Sequence, residues 1–199
     1  MDESKTEISL EKLRLGDRHE FAHLVEAYSG PLYRLALKML GNAPDAEDAL
    51  QNTFIKAFQH VNTFEGRSSL STWLYRIASN EALMLLRKRR PETAFSDLSS
   101  QDEDDQNLDP VQFTDWCCLP EEEFLSAEAR TALDRAVERL PETLRIVFVL
   151  RDIEDLSIQE TSQVLGLSET AVKTRLLRGR LRLREELSSY YSDRLNKRS

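Results

Sequence analysis

The stretch His19-Glu20-Phe21-Ala22-His23 matches the pattern H-E-x-x-H. On a helix that spacing puts two imidazoles on one face to hold zinc, with the glutamate placed to activate its water. A zinc protease also needs a third ligand downstream and a cleft, and no motif supplies either. His60 is the one further histidine, and the two cysteines, Cys117 and Cys118, are adjacent. Neighbouring cysteines do not readily bridge each other and lack the spacing of a metal clip. The reading is a non-enzyme with no catalytic residue, metal or other cofactor. It implies a reducing, cytoplasmic setting without structural disulfides.

A second chemistry is better supported. The segment "FEGRSSLSTWLYRIASNEALMLLRKRR" runs from Phe64 to Arg90. A loop with Gly66 and small serines leads into a helix carrying Trp73 and Tyr75, which ends in Arg87, Lys88, Arg89 and Arg90. Single-stranded nucleic acid needs a cationic track for phosphates and aromatic faces for unstacked bases. Core packing is the competing reading for Trp73, whereas Tyr75 is expected at the surface. The basic run can complement the helix dipole, but four cations in a row exceed what that requires.

The third pattern is "LSIQETSQVLGLSETAVKTRLLRGR", Leu156 to Arg180. Ser157 and Glu160 form a capping box that opens a short helix. Gly166 suits the left-handed turn at its end, Leu167 can plug the angle that follows, and Ser168 caps a second helix. This is helix-turn-helix grammar. On a wheel of about 100° per residue, Val172, Leu176, Gly179, Leu183 and Leu187 share one packing stripe. Arg175, Arg178 and Arg182 gather on one flank, and Lys173, Arg180 and Arg184 on the other. Basic flanks around a buried stripe suit a helix in the major groove. Thr170, Ala171, Lys173, Thr174 and Arg175 would face base edges or the nearest phosphates. The plainer alternative is a surface helix with solvated arginines.

These side chains must be carried by helices, because no segment shows sustained strand alternation. The expected helices are 9–15, 18–29, 30–40, 45–62 and 70–89, then 125–139, 141–152, 157–165 and 169–188. Pro31 and Pro141 each suit a helix start. In 45–62 the expected buried stripe is Ala49, Phe54, Ala57, Phe58 and Val61. Asp45, Glu47, Asp48, Gln51 and Asn52 form an acidic and polar patch at its beginning. That patch reads either as complement to the helix dipole or as a docking face for a basic partner.

A net charge of −8 looks wrong for a nucleic-acid binder. Residues 91–124, however, hold 11 acidic residues and no Lys or Arg. Their charge exceeds the deficit of the whole chain, so both flanking blocks are slightly basic. The stretch is too polar to pack alone and reads as a linker. The longest apolar runs, "ALMLL" and "IVFVL", are far short of a membrane span. The expected organisation is all-α, with two small helical domains at 9–90 and 123–190 joined by an acidic linker at 91–122.

The combination "DAEDALQNTFIKAF … SSLSTWLYRIASNEALMLLRKR", a linker, and then "LPETLRIVFVLRDIEDLSIQETSQVLGLSETAVKTRLLRGRLRLRE" resembles the extracytoplasmic-function (ECF) sigma factors of bacterial RNA polymerase. The resemblance covers both helical blocks, with two separate signatures in the right order. It implies a sigma region 2 bundle at 9–90 and a sigma region 4 helix-turn-helix at 123–190. It also implies a factor that binds core RNA polymerase and directs promoter-specific initiation. By this resemblance Asp45, Glu47, Asp48, Gln51, Asn52 and Phe54 lie on the helix that docks on the β′ clamp helices. Gly66, Arg67, Ser68, Ser69 and Ser71, with Phe64 and Asn80 beside them, form the loop that captures a flipped base of the −10 element, and Trp73 and Tyr75 follow it. Arg87 to Arg90 would track the DNA backbone. Ser168, Thr170, Ala171, Lys173, Thr174, Arg175, Arg178 and Arg180 belong to the helix-turn-helix that reads the −35 element near the β flap. The resemblance further implies an anti-sigma factor as partner. In it the HEFAH stretch is the opening helix of the first domain. The acidic linker would pass through polymerase channels that later hold nucleic acid, where acid can mimic RNA; a solvated tether is the plainer reading. The alternative function is a conventional helix-turn-helix transcriptional regulator without polymerase docking. It would need a ligand pocket or receiver domain in the first block, and none is legible.

Overall fold

Helices in this chain begin and end at residues that satisfy the free backbone groups of a helix terminus. A computed structural model describes residues 8–89 and 127–196. Among the described residues there are helices and loops and no strand, so the protein is all-α. The expected linker 91–122, with Cys117 and Cys118, and Arg90 before it lie outside the described residues.

Helix α1 (Leu10–Arg14) starts at Ser9, whose hydroxyl accepts from the Lys12 amide. Helix α2 (Arg18–Leu40) starts at Asp17, whose carboxylate accepts from the His19 and Glu20 amides at 2.8 and 3.2 Å. Those bonds hold the Asp17 carboxyl below its ordinary value. The expected break at Ser29-Gly30-Pro31 does not occur: α2 continues through Pro31 to Gly41, which turns left-handed at φ 72°. An interior proline removes one ladder bond and costs about 3 kcal/mol. The buried run Leu24, Leu32, Leu35, Ala36 and Met39 packs both halves of α2 on one core and offsets that cost.

Asn42 caps α3 (Ala43–His60) by accepting from the Asp45 amide at 3.0 Å. A 3-10 turn, Val61–Thr63, leads through the Phe64–Ser69 loop to α4 (Leu70–Arg89). Helix α3 buries Ala46, Ala49, Thr53 and Ala57, spaced as one helical stripe. This shifts the expected stripe. Phe54 is only half-buried and Phe58 is 49% exposed, because α3 packs through small side chains. Thr53 reads as polar, yet it is buried and donates its hydroxyl to the Ala49 carbonyl at 2.7 Å. Leu74, Ala78 and Ala82 of α4 complete the core of this first unit.

The second unit comprises α5 (Ala127–Arg139), α6 (Glu142–Phe148), α7 (Ile158–Leu165) and α8 (Glu169–Asn196). Helix α6 continues as a π-helical turn, Val149–Ile153, and "IVFVL" is buried throughout. Asp155 then turns left-handed at φ 54°, a conformation aspartate tolerates better than most residues. Ser157 and Glu160 make both bonds of the capping box, and Gly166 ends α7 at φ 66°. Val172, Leu176, Gly179, Leu183 and Leu187 of α8 are all buried, as the wheel requires.

The two units pack against each other chiefly through α4 and α7, with α2 against α5, α6 and the π turn. Arg145 of α6 donates to the Met39 carbonyl at 2.8 Å and to the Leu140 carbonyl at 2.9 Å. One guanidinium thus ties the end of α2 to the start of the second unit.

Candidate nucleic-acid interface

The local chemistry of α8 sets out the first surface. The Ser168 hydroxyl accepts from the Ala171 amide at 3.1 Å and fixes the first turn. Thr170 and Lys173 are exposed, and Ala171, Thr174, Arg175 and Arg178 are half-buried on its sides. Arg182 and Arg184 extend the exposed charge along the helix. Arg180 is engaged differently. Its Nε and Nη2 donate to Asp152 Oδ2 and Oδ1 at 2.9 and 2.7 Å. This two-pronged bond holds the Arg180 guanidinium even more firmly protonated than usual. It braces α8 against the π turn, so in this conformation Arg180 orients the helix and does not reach outward. The sequence contains no signal for Asp152, since nothing local marks a partner 28 residues away.

The second surface is built on α4. The Ser69 hydroxyl accepts from the Thr72 amide at 3.1 Å and contacts the Ser71 and Thr72 hydroxyls at 2.8 and 2.7 Å. Ser69 therefore serves as the helix cap. Gly66 is left-handed at φ 77° and stands in open space, with Glu65 and Arg67 ion-paired beside it and Ser68 next in line. Phe64 is buried, and its ring packs on half-buried Trp73 at 5.1 Å between centroids. Arg14 of α1 donates to the Phe64 carbonyl and holds the loop from below. Asn80, Arg87 and Lys88 are exposed along the same helix.

Two of the expected residues are placed otherwise. Tyr75 is only 7% exposed rather than at the surface: its hydroxyl donates to Glu154 of the second unit at 2.9 Å. Burial, then the nearby Glu154 carboxylate, push that hydroxyl well above the ordinary tyrosine range. Arg89 is ion-paired with Asp45 and donates to the Leu40 carbonyl at 3.1 Å. Asp45 and Arg89 thus join the end of α4 to the α2–α3 corner.

On α3, Glu47, Asp48, Gln51 and Asn52 are exposed, opposite the buried alanines. Ile55 and Phe58 continue that outer stripe toward the C-terminus at 53% and 49% exposure. Phe21 meets Phe58 and Phe54 edge-on at 5.0 and 6.5 Å. The sequence reading placed Phe58 inside and left Ile55 unassigned. The spacing Asp48, Gln51, Ile55, Phe58 is the signal that could have found them.

The H-E-x-x-H match is resolved by Glu20. It is 7% exposed, accepts from the Ser9 amide at 2.7 Å and pairs with Lys12 at 3.7 Å. His19 and His23 meet edge-on at 4.5 Å, while the Glu20 carboxylate is already engaged by the Ser9 amide and Lys12. Among the described residues no group of three or more His, Cys, Asp or Glu is placed to hold a metal ion. None of the described helices is long and apolar enough to cross a membrane.

An all-α chain with a helix-turn-helix in one unit and a loop-fed aromatic and basic helix in the other is a DNA-handling factor. The comparisons narrow that class. Residues 24–92 match the family model for sigma-70 region 2, and residues 130–183 match that for sigma-70 region 4. The chain is 34% identical to the ECF RNA polymerase sigma factor SigW of Bacillus subtilis, over 89% of this chain and 94% of that one. It is 31% identical to the ECF RNA polymerase sigma-E factor of Escherichia coli, over 90% and 93%. Among solved structures it is similar to CnrH in complex with the cytosolic domain of CnrY, with TM-score 0.65 and 25% identity over 90% of this chain and 95% of that one. It is also similar to the sigma factor RpoE of Bartonella quintana in complex with the anti-sigma factor NepR, with TM-score 0.62 and 25% identity over 85% and 97%. The chain belongs to the ECF sigma factors of RNA polymerase. It is an initiation factor that works with core RNA polymerase and promoter DNA, and it is not an enzyme.

Proposed function

We propose a division of labour between the units at 9–90 and 123–190. The outer stripe of α3 (Glu47, Asp48, Gln51, Asn52, with Ile55, Phe58 and the edge of Phe54) docks on the β′ clamp helices. Its acidic beginning suits a basic partner, and its exposed apolar end supplies the desolvated anchors that carry binding energy. The Phe64–Ser69 loop, with Ser71 and Asn80 of α4, takes the −10 element, and Arg87, Lys88 and Arg90, the residue after Arg89 in sequence, follow its backbone. The exposed side of α8, led by Thr170, Lys173, Arg175 and Arg178, reads the −35 element beside the β flap, with Arg180 as brace. An anti-sigma factor masks these faces, and the protein works in the cytoplasm. The observation that carries this reading is that both α3 and α8 bury small or aliphatic stripes and leave functional side chains outward. Run-off transcription tests it. Core RNA polymerase with the purified chain should start at one mapped position on a cognate promoter duplex. Binding to that duplex without polymerase-dependent initiation would contradict the reading.

A further inference from the structure

The contact between the units is built around one carboxylate. The Glu154 side chain is 1% exposed, and it accepts from Arg34 Nε and Nη2 at 3.2 Å each and from the Tyr75 hydroxyl at 2.9 Å. Arg34 itself stays 54% exposed. A guanidinium fork with a hydroxyl beside it offers parallel donors to two oxygens, the arrangement that takes a carboxylate or a phosphate equally well. Both donors belong to the first unit, on α2 and α4, whereas the acid comes from the second. One turn along α2 from Arg34, Lys38 pairs with Asp134 of α5 in the same sense. The second unit thus neutralises a cationic stripe of the first, next to the helix assigned to the unpaired promoter strand.

Helices α4 and α7, the main pair between the units, each bury a hydroxyl, Ser79 and Thr161, that finds no partner among the described residues. Buried hydroxyls without partners cost stability.

We propose that Arg34 and the Tyr75 hydroxyl form a phosphodiester site for the single-stranded promoter, and that Glu154 occupies it as an internal stand-in while the units are packed together. This rests on the sigma reading above and adds Arg34 and Glu154 to it. Opening of the chain removes the carboxylate and frees the fork for a backbone phosphate. In the closed state the apparent affinity for single strands falls with the open fraction.

The test uses the full chain and a fluorescein-labelled oligodeoxythymidylate, read by anisotropy. Glu154→Gln keeps the shape but weakens the clamp. It should tighten binding by about fivefold or more. Adding Arg34→Ala to that variant should remove the gain and lower the log–log salt slope by about one. If Glu154→Gln loses its helical circular dichroism, Asp134→Asn opens the same interface from the Lys38 side and carries the same expectation. No gain on opening, or a double variant as tight as the single one with an unchanged salt slope, overturns the proposal. Run-off transcription by the unaltered chain is measured in parallel. Correct initiation with a failed binding series rejects this site alone, whereas absent initiation rejects the sigma assignment of faces.

Discussion

Helix α8 and helix α4, to which we assign the nucleic-acid contacts of their units, are built on opposite principles. In α8 the packing side chains and the proposed DNA-facing ones sit on different faces. Val172, Leu176, Gly179, Leu183 and Leu187 pack inward, while Thr170, Lys173, Arg182 and Arg184 stand outward. In α4 the two roles share side chains: Ser69 caps, Trp73 packs on Phe64, Tyr75 holds Glu154, and Arg89 pins Asp45. A face devoted to one task tolerates change in the other. A face with both does not, so substitutions in α4 should disturb folding and binding together, and those in α8 should separate them.

The largest effects come from the two cores. Leu183→Ala and Leu74→Ala each remove a fully buried leucine, and each should cost about 2–5 kcal/mol in chemical denaturation. The comparison predicts different company for that loss. Leu183→Ala should leave single-strand binding of the folded fraction intact, whereas Leu74→Ala should impair it, since Trp73 and Tyr75 are its neighbours in the chain. Equal behaviour of the two variants would break the contrast.

A smaller effect tests the entry to the helix-turn-helix. Ser157→Ala removes one half of the capping box and should destabilise the second unit by about 1 kcal/mol. The Ser157 side chain, then its backbone amide, hold the Glu160 carboxyl below its ordinary value. A depressed carboxyl stabilises the fold above its unfolded pKa, and that contribution is lost as pH falls through the lower folded value. Thermal stability of the second unit should therefore fall as pH drops below the ordinary glutamate range of about 4.3, and Glu160→Gln should flatten that dependence. An unchanged pH profile would remove the capping box from the account.

The smallest expected effect is a gain. A Cβ added at Gly179 would stand 3.7 Å from the Leu144 carbonyl oxygen, an ordinary contact. Gly179→Ala should then stabilise α8 by up to about 1 kcal/mol, seen as a rise in midpoint denaturant concentration. A fall would mean that α6 and α8 need a closer approach than their spacing shows.

The same contrast explains what was legible in the sequence. The helix-turn-helix could be read almost residue by residue, because its stripe, its caps at Ser157 and Ser168 and its turn at Gly166 are local signals. The first unit was legible as helices and as a set of candidate residues, but not in its details. Pro31 was read as a helix start although the core carries α2 through it. Helical spacing puts Phe58 on the expected apolar stripe with Ala49, Phe54, Ala57 and Val61, whereas α3 packs through Ala46, Ala49, Thr53 and Ala57 and leaves Phe58 outside. Tyr75, Glu154, Arg34 and Asp152 depend on partners far away in the chain, and no period or spacing encodes such pairs.

The central claim is that docking and promoter reading are separable surfaces. It is tested by measuring, for two double variants, both affinity for core RNA polymerase and affinity of the chain for promoter duplex. Asp48→Arg with Gln51→Arg should weaken core binding by about tenfold or more while leaving duplex binding within about twofold. Arg175→Ala with Arg178→Ala should do the reverse, with a loss of duplex affinity of about tenfold or more. If each variant lost both affinities to the same degree, α3 and α8 would not be separate surfaces and the account would be wrong.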